Sequence, residues 1–135
     1  MKLVFADAFY WIALVHPRDS ARPQALSFGR DYEHVTLVTT HEVLTEVLAF
    51  FSGGGIEARR IAFKAVRRTL QDPRVLVIPQ STETFEAGLQ MYGERLDKGY
   101  SHTDCVSMIA MRSRGIVDDR HFKQEGFRIL FDSAP

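Results

Sequence analysis

Three short runs dominate the chain: Lys2 to Ala6 (KLVFA), Val35 to Val38 (VTLV) and Val75 to Ile78 (VLVI). Each is apolar or β-branched without strict alternation, the signature of strands covered on both faces. Helical patterns separate them. Phe9 to Val15 and Ala25 to Tyr32 lie between the first two runs, and Ile56 to Leu70 precedes the third; Thr39-x-x-Glu42 has the form of a capping box opening another helix through Phe51. Strands joined by such long connections cannot be hairpins, so they pair in parallel with helices over the faces. The expectation is a single domain over residues 1–135, an α/β three-layer fold whose mostly parallel sheet has four to five strands. The further strands are assigned to Gly115-Ile116-Val117 and Arg128 to Phe131. Helices capped by Ser81 or Thr82, running to about Leu96, and by Ser101 or Thr103, running through Arg114, complete the pattern.

Composition narrows the function classes. Seventeen Lys+Arg balance seventeen Asp+Glu among 135 residues, so no global basic field recruits nucleic acid, and any such surface is local. The lone Cys105 cannot form an intrachain disulfide, and a reducing cytoplasm is the expected compartment. The apolar start resembles a secretion signal, yet Asp7 interrupts it and no stretch approaches the roughly 18 residues of a membrane span. The expected protein is cytosolic and untethered.

In open α/β sheets ligands gather beyond the carboxyl ends of the strands. Asp7 falls there, between apolar neighbours, where an ionised carboxylate pairs, protonates or binds a metal; capping the following helix is its plain structural role. Glu46 borders an apolar arc of Val43, Leu44, Val47, Leu48, Phe50 and Phe51, and has no local cap role. Asp104 heads an apolar helix on the stripe of Met108 and Met111, where the helix dipole favours negative charge. Asp118 and Asp119 follow Ile116-Val117, again at a strand end. Each acid has a bland explanation singly, as a cap or a solvated boundary residue. Jointly they suggest convergence, and carboxylates within about 4–6 Å of each other need a cation. Oxygen ligands without Cys or His select Mg²⁺ or Mn²⁺.

These segments resemble the PIN-domain nucleases, and among them the small VapC-type toxins of prokaryotic toxin–antitoxin pairs. The similarity runs over nearly the whole chain: Val4-Phe5-Ala6-Asp7, Thr45-Glu46-Val47-Leu48, His102-Thr103-Asp104-Cys105 and Val117-Asp118-Asp119-Arg120-His121-Phe122 match its acidic motifs in order and spacing. On that register Asp119, rather than Asp118, is the fourth acid. The resemblance implies a Mg²⁺- or Mn²⁺-dependent endoribonuclease in which Asp7, Glu46, Asp104 and Asp119 hold metal that activates water for phosphodiester hydrolysis. It further implies an RNA substrate and an inhibiting antitoxin, while the small size and abundant Phe lead to the expectation of a homodimer and a hydrophobic antitoxin groove. The family's hydroxyls near the first and fourth acids are replaced here by Ala8-Phe9 and Val117. That departure supports an alternative, a catalytically impaired RNA- or protein-binding regulatory module of the same fold.

Arg60, Lys64, Arg67 and Arg68 share one face of a helix, and Arg120 adjoins the last acid; they are candidates for RNA contact, with a solvated basic face as the plainer reading of the helical four. Phe9, Tyr10, Trp11, Tyr100 and His121 could stack on bases, although packing is the simpler role for Phe9 and Trp11. His41-Glu42-Val43-Leu44-Thr45 begins like a zinc-protease helix but lacks the second histidine. Gly53-Gly54-Gly55 has no lysine of a phosphate loop, and the third strand ends in Pro79 rather than an acceptor aspartate, which disfavours phosphotransfer.

Overall fold

The structure, a computed structural model, describes residues 2–31 and 35–116. Strand β1 (Lys2–Phe5), β2 (Val35–Thr40) and β3 (Val75–Ile78) form a parallel sheet in the order β1-β2-β3. Phe5 sits opposite Val38, and Thr40 opposite Ile78, so the carboxyl ends of all three strands lie at one edge. Helices α1 (Ala8–Val15) and α2 (Arg22–Asp31) connect β1 to β2; α3 (His41–Phe51) and α4 (Ile56–Gln71) connect β2 to β3. After β3 come α5 (Thr82–Glu94) and α6 (His102–Ser113). The expected α/β architecture, a parallel sheet flanked by helices, is what the chain adopts, with three strands among the described residues. The segment Arg128 to Phe131 lies outside them.

Burial concentrates toward the carboxyl ends of the two leading strands: Val4, Phe5, Val38, Thr39 and Thr40 are almost or wholly sealed from solvent. Cys105, Met108 and Met111 of α6 are equally sealed, which makes Cys105 a packing residue. No helix among the described residues is long and apolar enough to cross a membrane.

Several local expectations change. Helix α3 is capped by Thr40, whose hydroxyl accepts from Val43 N at 3.1 Å, rather than by Thr39 with Glu42 as box partner. Thr39 is still strand, and its side chain points into the core, so it has no access to the helix end. Leu48 and Phe50 are exposed, leaving Val43, Leu44, Val47 and Phe51 as the buried stripe of α3. Helix α2 starts at Arg22, earlier than Ala25, because Pro23 occupies its first turn, where its missing N–H goes unneeded.

Gly115 and Ile116 do not begin a strand. Gly115, at φ 67°, reverses the chain after α6, with its N–H donating to Arg112 O at 3.2 Å and that of Ile116 to Met111 O at 2.9 Å. These paired bonds satisfy the last carbonyls of the helix, a closure that favours glycine at the left-handed position. At the other end of the sheet, Asp72 turns the chain from α4 into β3. Its carboxylate accepts Arg74 N at 2.8 Å and the guanidinium at 3.3 and 3.2 Å, which holds the Asp72 carboxyl below its ordinary range.

Helices α5 and α6 pack closely along Gly88. A Cβ at Gly88 would stand 2.6 Å from Val106 Cγ2 and 3.0 Å from His102 Nε2. Glycine inside a helix costs about 0.5–1 kcal/mol relative to alanine, so Gly88→Ala would stabilise an isolated α5. Here the clash dominates: forcing the two helices apart costs about 1–3 kcal/mol. Gly88→Ala is expected to lower the thermal midpoint, measured by circular dichroism. An unchanged or raised midpoint would show that the seam yields without cost.

Candidate functional site

Asp7 is placed by the strand that precedes it. Ala6 N donates to Val38 O at 2.8 Å, continuing the β1–β2 ladder up to the residue before the acid. Asp7 then caps α1, its Oδ1 accepting from Tyr10 N at 3.3 Å, while Oδ2 is sealed from solvent. The residue is 9% exposed, and at that depth a carboxylate needs compensation from its surroundings. Neighbouring Tyr10 is also buried, and burial pushes its phenol up from its ordinary value.

Behind Asp7 lies a buried polar node that the sequence reading missed. The Thr39 hydroxyl donates to Ala6 O at 2.9 Å, and the Trp11 indole N–H reaches both Ala6 O, at 3.2 Å, and Thr39 Oγ1, at 3.3 Å. Three elements, β1, β2 and α1, are thereby tied at the peptide joining Ala6 to Asp7. With every donor and acceptor of the node inside the core, its geometry is stiff, because breaking any bond leaves a buried polar group unsatisfied. Trp11 is a buried packing residue, not an exposed platform for bases. Two threonines in succession at a strand end were the available signal. One caps the helix and the other faces inward.

Glu46 is half-buried on α3, and Asp104 is half-buried in the first turn of α6. Asp104 completes a capping box: its N–H donates to Ser101 Oγ, and its Oδ2 accepts from Ser101 N, both at 3.0 Å. Helix α3 packs on both α1 and α6, so the elements bearing the three acids are joined through α3. Among the described residues, however, no three His, Cys, Asp or Glu side chains gather closely enough to hold a metal ion. Asp119, with Asp118 and Arg120, lies outside the described residues. The donor set of Asp7, Glu46 and Asp104 therefore suits a hard divalent ion in its chemistry, all oxygen and anionic, without enclosing one by itself.

The basic candidates of α4 are exposed but variously engaged. Arg60 pairs with Glu57, the Arg67 guanidinium lies 5.5 Å from the Phe63 ring centre, and Lys64 is solvated. Arg68 borders a groove of about 390 Å³ between α1, α2 and α4, whose walls include Leu14, Leu26 and Ile61, with Arg22 and Asp72 also lining it. At the carboxyl edge itself, His41 Nδ1 accepts from Gln80 N at 3.1 Å and links the ends of β2 and β3.

No protein-family model matches this chain, and no curated protein matches it in sequence. Among solved structures, the crystal structure of Mycobacterium tuberculosis VapC20, a sarcin-ricin loop cleaving toxin, aligns with a TM-score of 0.82. The alignment covers 95% of this chain and 98% of that one, at 22% sequence identity. The likeness runs end to end, and at that identity what it establishes is the architecture: this chain has the PIN-domain fold of a VapC toxin.

Proposed function

We propose that the chain is a toxin-type endoribonuclease that hydrolyses RNA with the help of Mg²⁺ or Mn²⁺. The observation that carries this reading is the end-to-end PIN fold, shared with an RNA-cleaving toxin, with Asp7 buried at the carboxyl end of β1. Asp7, Glu46, Asp104 and Asp119 would hold the ion. When bound, the ion supplies charge neutralisation at the scissile phosphate and lowers the pKa of the attacking water.

The protein's part is to place anionic oxygens where the charge of the ion is needed. The node of Thr39, Trp11 and Ala6 fixes the backbone of Asp7, and the Ser101 box fixes that of Asp104. Asp104 also lies in the first turn of α6, at the positive end of that helix. RNA, a cytoplasmic setting and a homodimer belong to the same proposal, the last checked by the mass from light scattering. Arg60, Lys64, Arg67, Arg68 and Arg120 are its candidate phosphate contacts.

The antitoxin is the occupant proposed for the groove between α1, α2 and α4. Leu14, Leu26 and Ile61 suit an apolar segment, and the cations Arg22 and Arg68 suit acidic residues flanking it. Arg68→Glu should weaken antitoxin capture by about tenfold or more, measured by calorimetry, because it puts like charges across the contact. Equal affinity would move the partner elsewhere.

The direct test incubates the purified full chain with labelled RNA and Mn²⁺. Cleavage should stop on chelation and in Asp104→Asn. Cleavage surviving both would mean another mechanism. Ala8 and Val117 at the family's hydroxyl positions favour the second reading, a catalytically impaired RNA- or protein-binding module. Tight RNA or partner binding with no cleavage under any divalent ion would select it.

A further inference from the structure

His102 stands two residues before Asp104, in the first turn of α6, and its ring reaches across to α5. Nε2 lies 2.9 Å from Phe85 O, and the His102 and Phe85 rings pack with centres 4.4 Å apart. A carbonyl oxygen only accepts, so the imidazole must carry its proton on Nε2 and donate it. The oxygen's second lone pair allows this bond in addition to any within α5.

The contact depends on Gly88. One turn along α5, the missing side chain is the space that His102 occupies, since a Cβ there would lie 3.0 Å from Nε2 and 3.3 Å from Cδ2. The first turn of α6 is thus held twice. Ser101 and Asp104 close it internally through their reciprocal 3.0 Å bonds, and His102 ties it externally to α5.

The internal box alone leaves the turn attached only to its own helix. Helix ends are where structure opens most readily, because their first N–H groups lack helical partners. Beyond Asp104 the helix is anchored by Cys105, Val106, Met108 and Met111 in the core. Ahead of it, His102 reaches α5 through a side-chain hydrogen bond.

We propose that His102 is a positioning residue: its Nε2–H bond to the Phe85 carbonyl, seated over Gly88, locks the α6 first turn to α5 and sets the Asp104 carboxylate for divalent-metal binding. The inference rests on the proposed metal role of Asp104. Removal of a partner one step behind a metal ligand typically costs about 10–100-fold in metal affinity.

The test uses two substitutions that fill the same space. His102→Gln keeps an amide N–H able to reach Phe85 O, whereas His102→Met packs against Phe85 without a donor. Mn²⁺ binding to the full chain is measured by electron paramagnetic resonance, alongside the melting temperature and RNA cleavage. His102→Met should bind Mn²⁺ about 10–100-fold more weakly, and His102→Gln should recover most of that loss. Because the readout is metal affinity of folded protein, a shared drop in melting temperature does not imitate it.

Wild-type affinity in His102→Met, or equal losses in both variants, would overturn the positioning role. A wild-type chain that binds no Mn²⁺ would overturn the metal reading on which it rests, a distinct result. Independently of any variant, long-range ¹⁵N–¹H spectra of the wild type should report the Nε2–H tautomer of His102. An Nδ1–H tautomer would remove the bond, and the proposal with it.

Discussion

Asp7→Asn should abolish Mn²⁺-dependent RNA cleavage while leaving the protein as stable as the wild type. Asparagine is as good an N-cap as aspartate, and its side-chain oxygen can still accept from Tyr10 N, the bond that Asp7 Oδ1 makes at 3.3 Å. The node of Thr39, Trp11 and Ala6 contains no atom of the Asp7 side chain, so the backbone stays where it is. What disappears is the negative charge. Partners one step behind a ligand already cost about 10–100-fold, so on the proposed metal role of Asp7 the loss of its charge should cost at least about 100-fold in cleavage rate.

Asp7→Ala provides the contrast. It removes the cap as well as the charge and should lose about 1 kcal/mol of stability along with the activity. Parallel melts and single-turnover cleavage of labelled RNA read both quantities. An Asn variant that cleaves at the wild-type rate would detach Asp7 from the chemistry and leave it a helix cap.

The sheet was legible because its signal is local and redundant. Four apolar residues between breakers read as a strand, and Val75–Ile78 has the limits its composition predicts, but Leu76 is exposed, so β3 is not covered on both faces as the apolar run suggested. The end of β2 was harder to read. Thr39 followed by Glu42 satisfies the pattern of a capping box, yet the Thr39 hydroxyl is occupied by Ala6 O and the Trp11 indole, partners distant in sequence. A local pattern cannot register that competition. Periodicity likewise widened the apolar arc of α3 to Leu48 and Phe50, because spacing identifies a face without saying how much of it the core covers.

The site divides along the same line. Asp7 stood out in the sequence because a charge directly after a buried strand is costly, and it is buried at the sheet edge. Asp104 was readable from the helix it heads, although its bond to Ser101 N depends on Ser101, rather than Thr103, being the N-cap, since only then is Asp104 the third residue of the helix. The tie from His102 to Phe85 was not readable. It needs Gly88 opposite, and nothing in the spacing of α5 announces which neighbour fills the gap a glycine leaves.

Phe5→Ala should produce the complementary outcome to Asp7→Asn, from a position two residues earlier. Phe5 is fully sealed from solvent and lies opposite Val38, itself fully buried. Truncation removes the aromatic ring and leaves a cavity in a region where strand pairing on β2 limits collapse. Such changes cost about 3–5 kcal/mol, against a total stability of about 5–15 kcal/mol for a domain of this kind. For a chain of this length that corresponds to a fall of roughly 10–20 °C in melting temperature. Phe5→Leu, which retains most of the volume, should cost less than about 1.5 kcal/mol. In urea the midpoint of Phe5→Ala should drop with little change in slope, since the surface exposed on unfolding is nearly the same. The molecules still folded should bind Mn²⁺ and cleave RNA near the wild-type rate, because the bonds that orient Asp7 run through the Ala6 carbonyl and not through the Phe5 ring. A Phe5→Ala protein that melts within a few degrees of wild type would mean that the end of β1 is loosely packed. The stiffness ascribed to the strand that carries Asp7 would then have no physical basis.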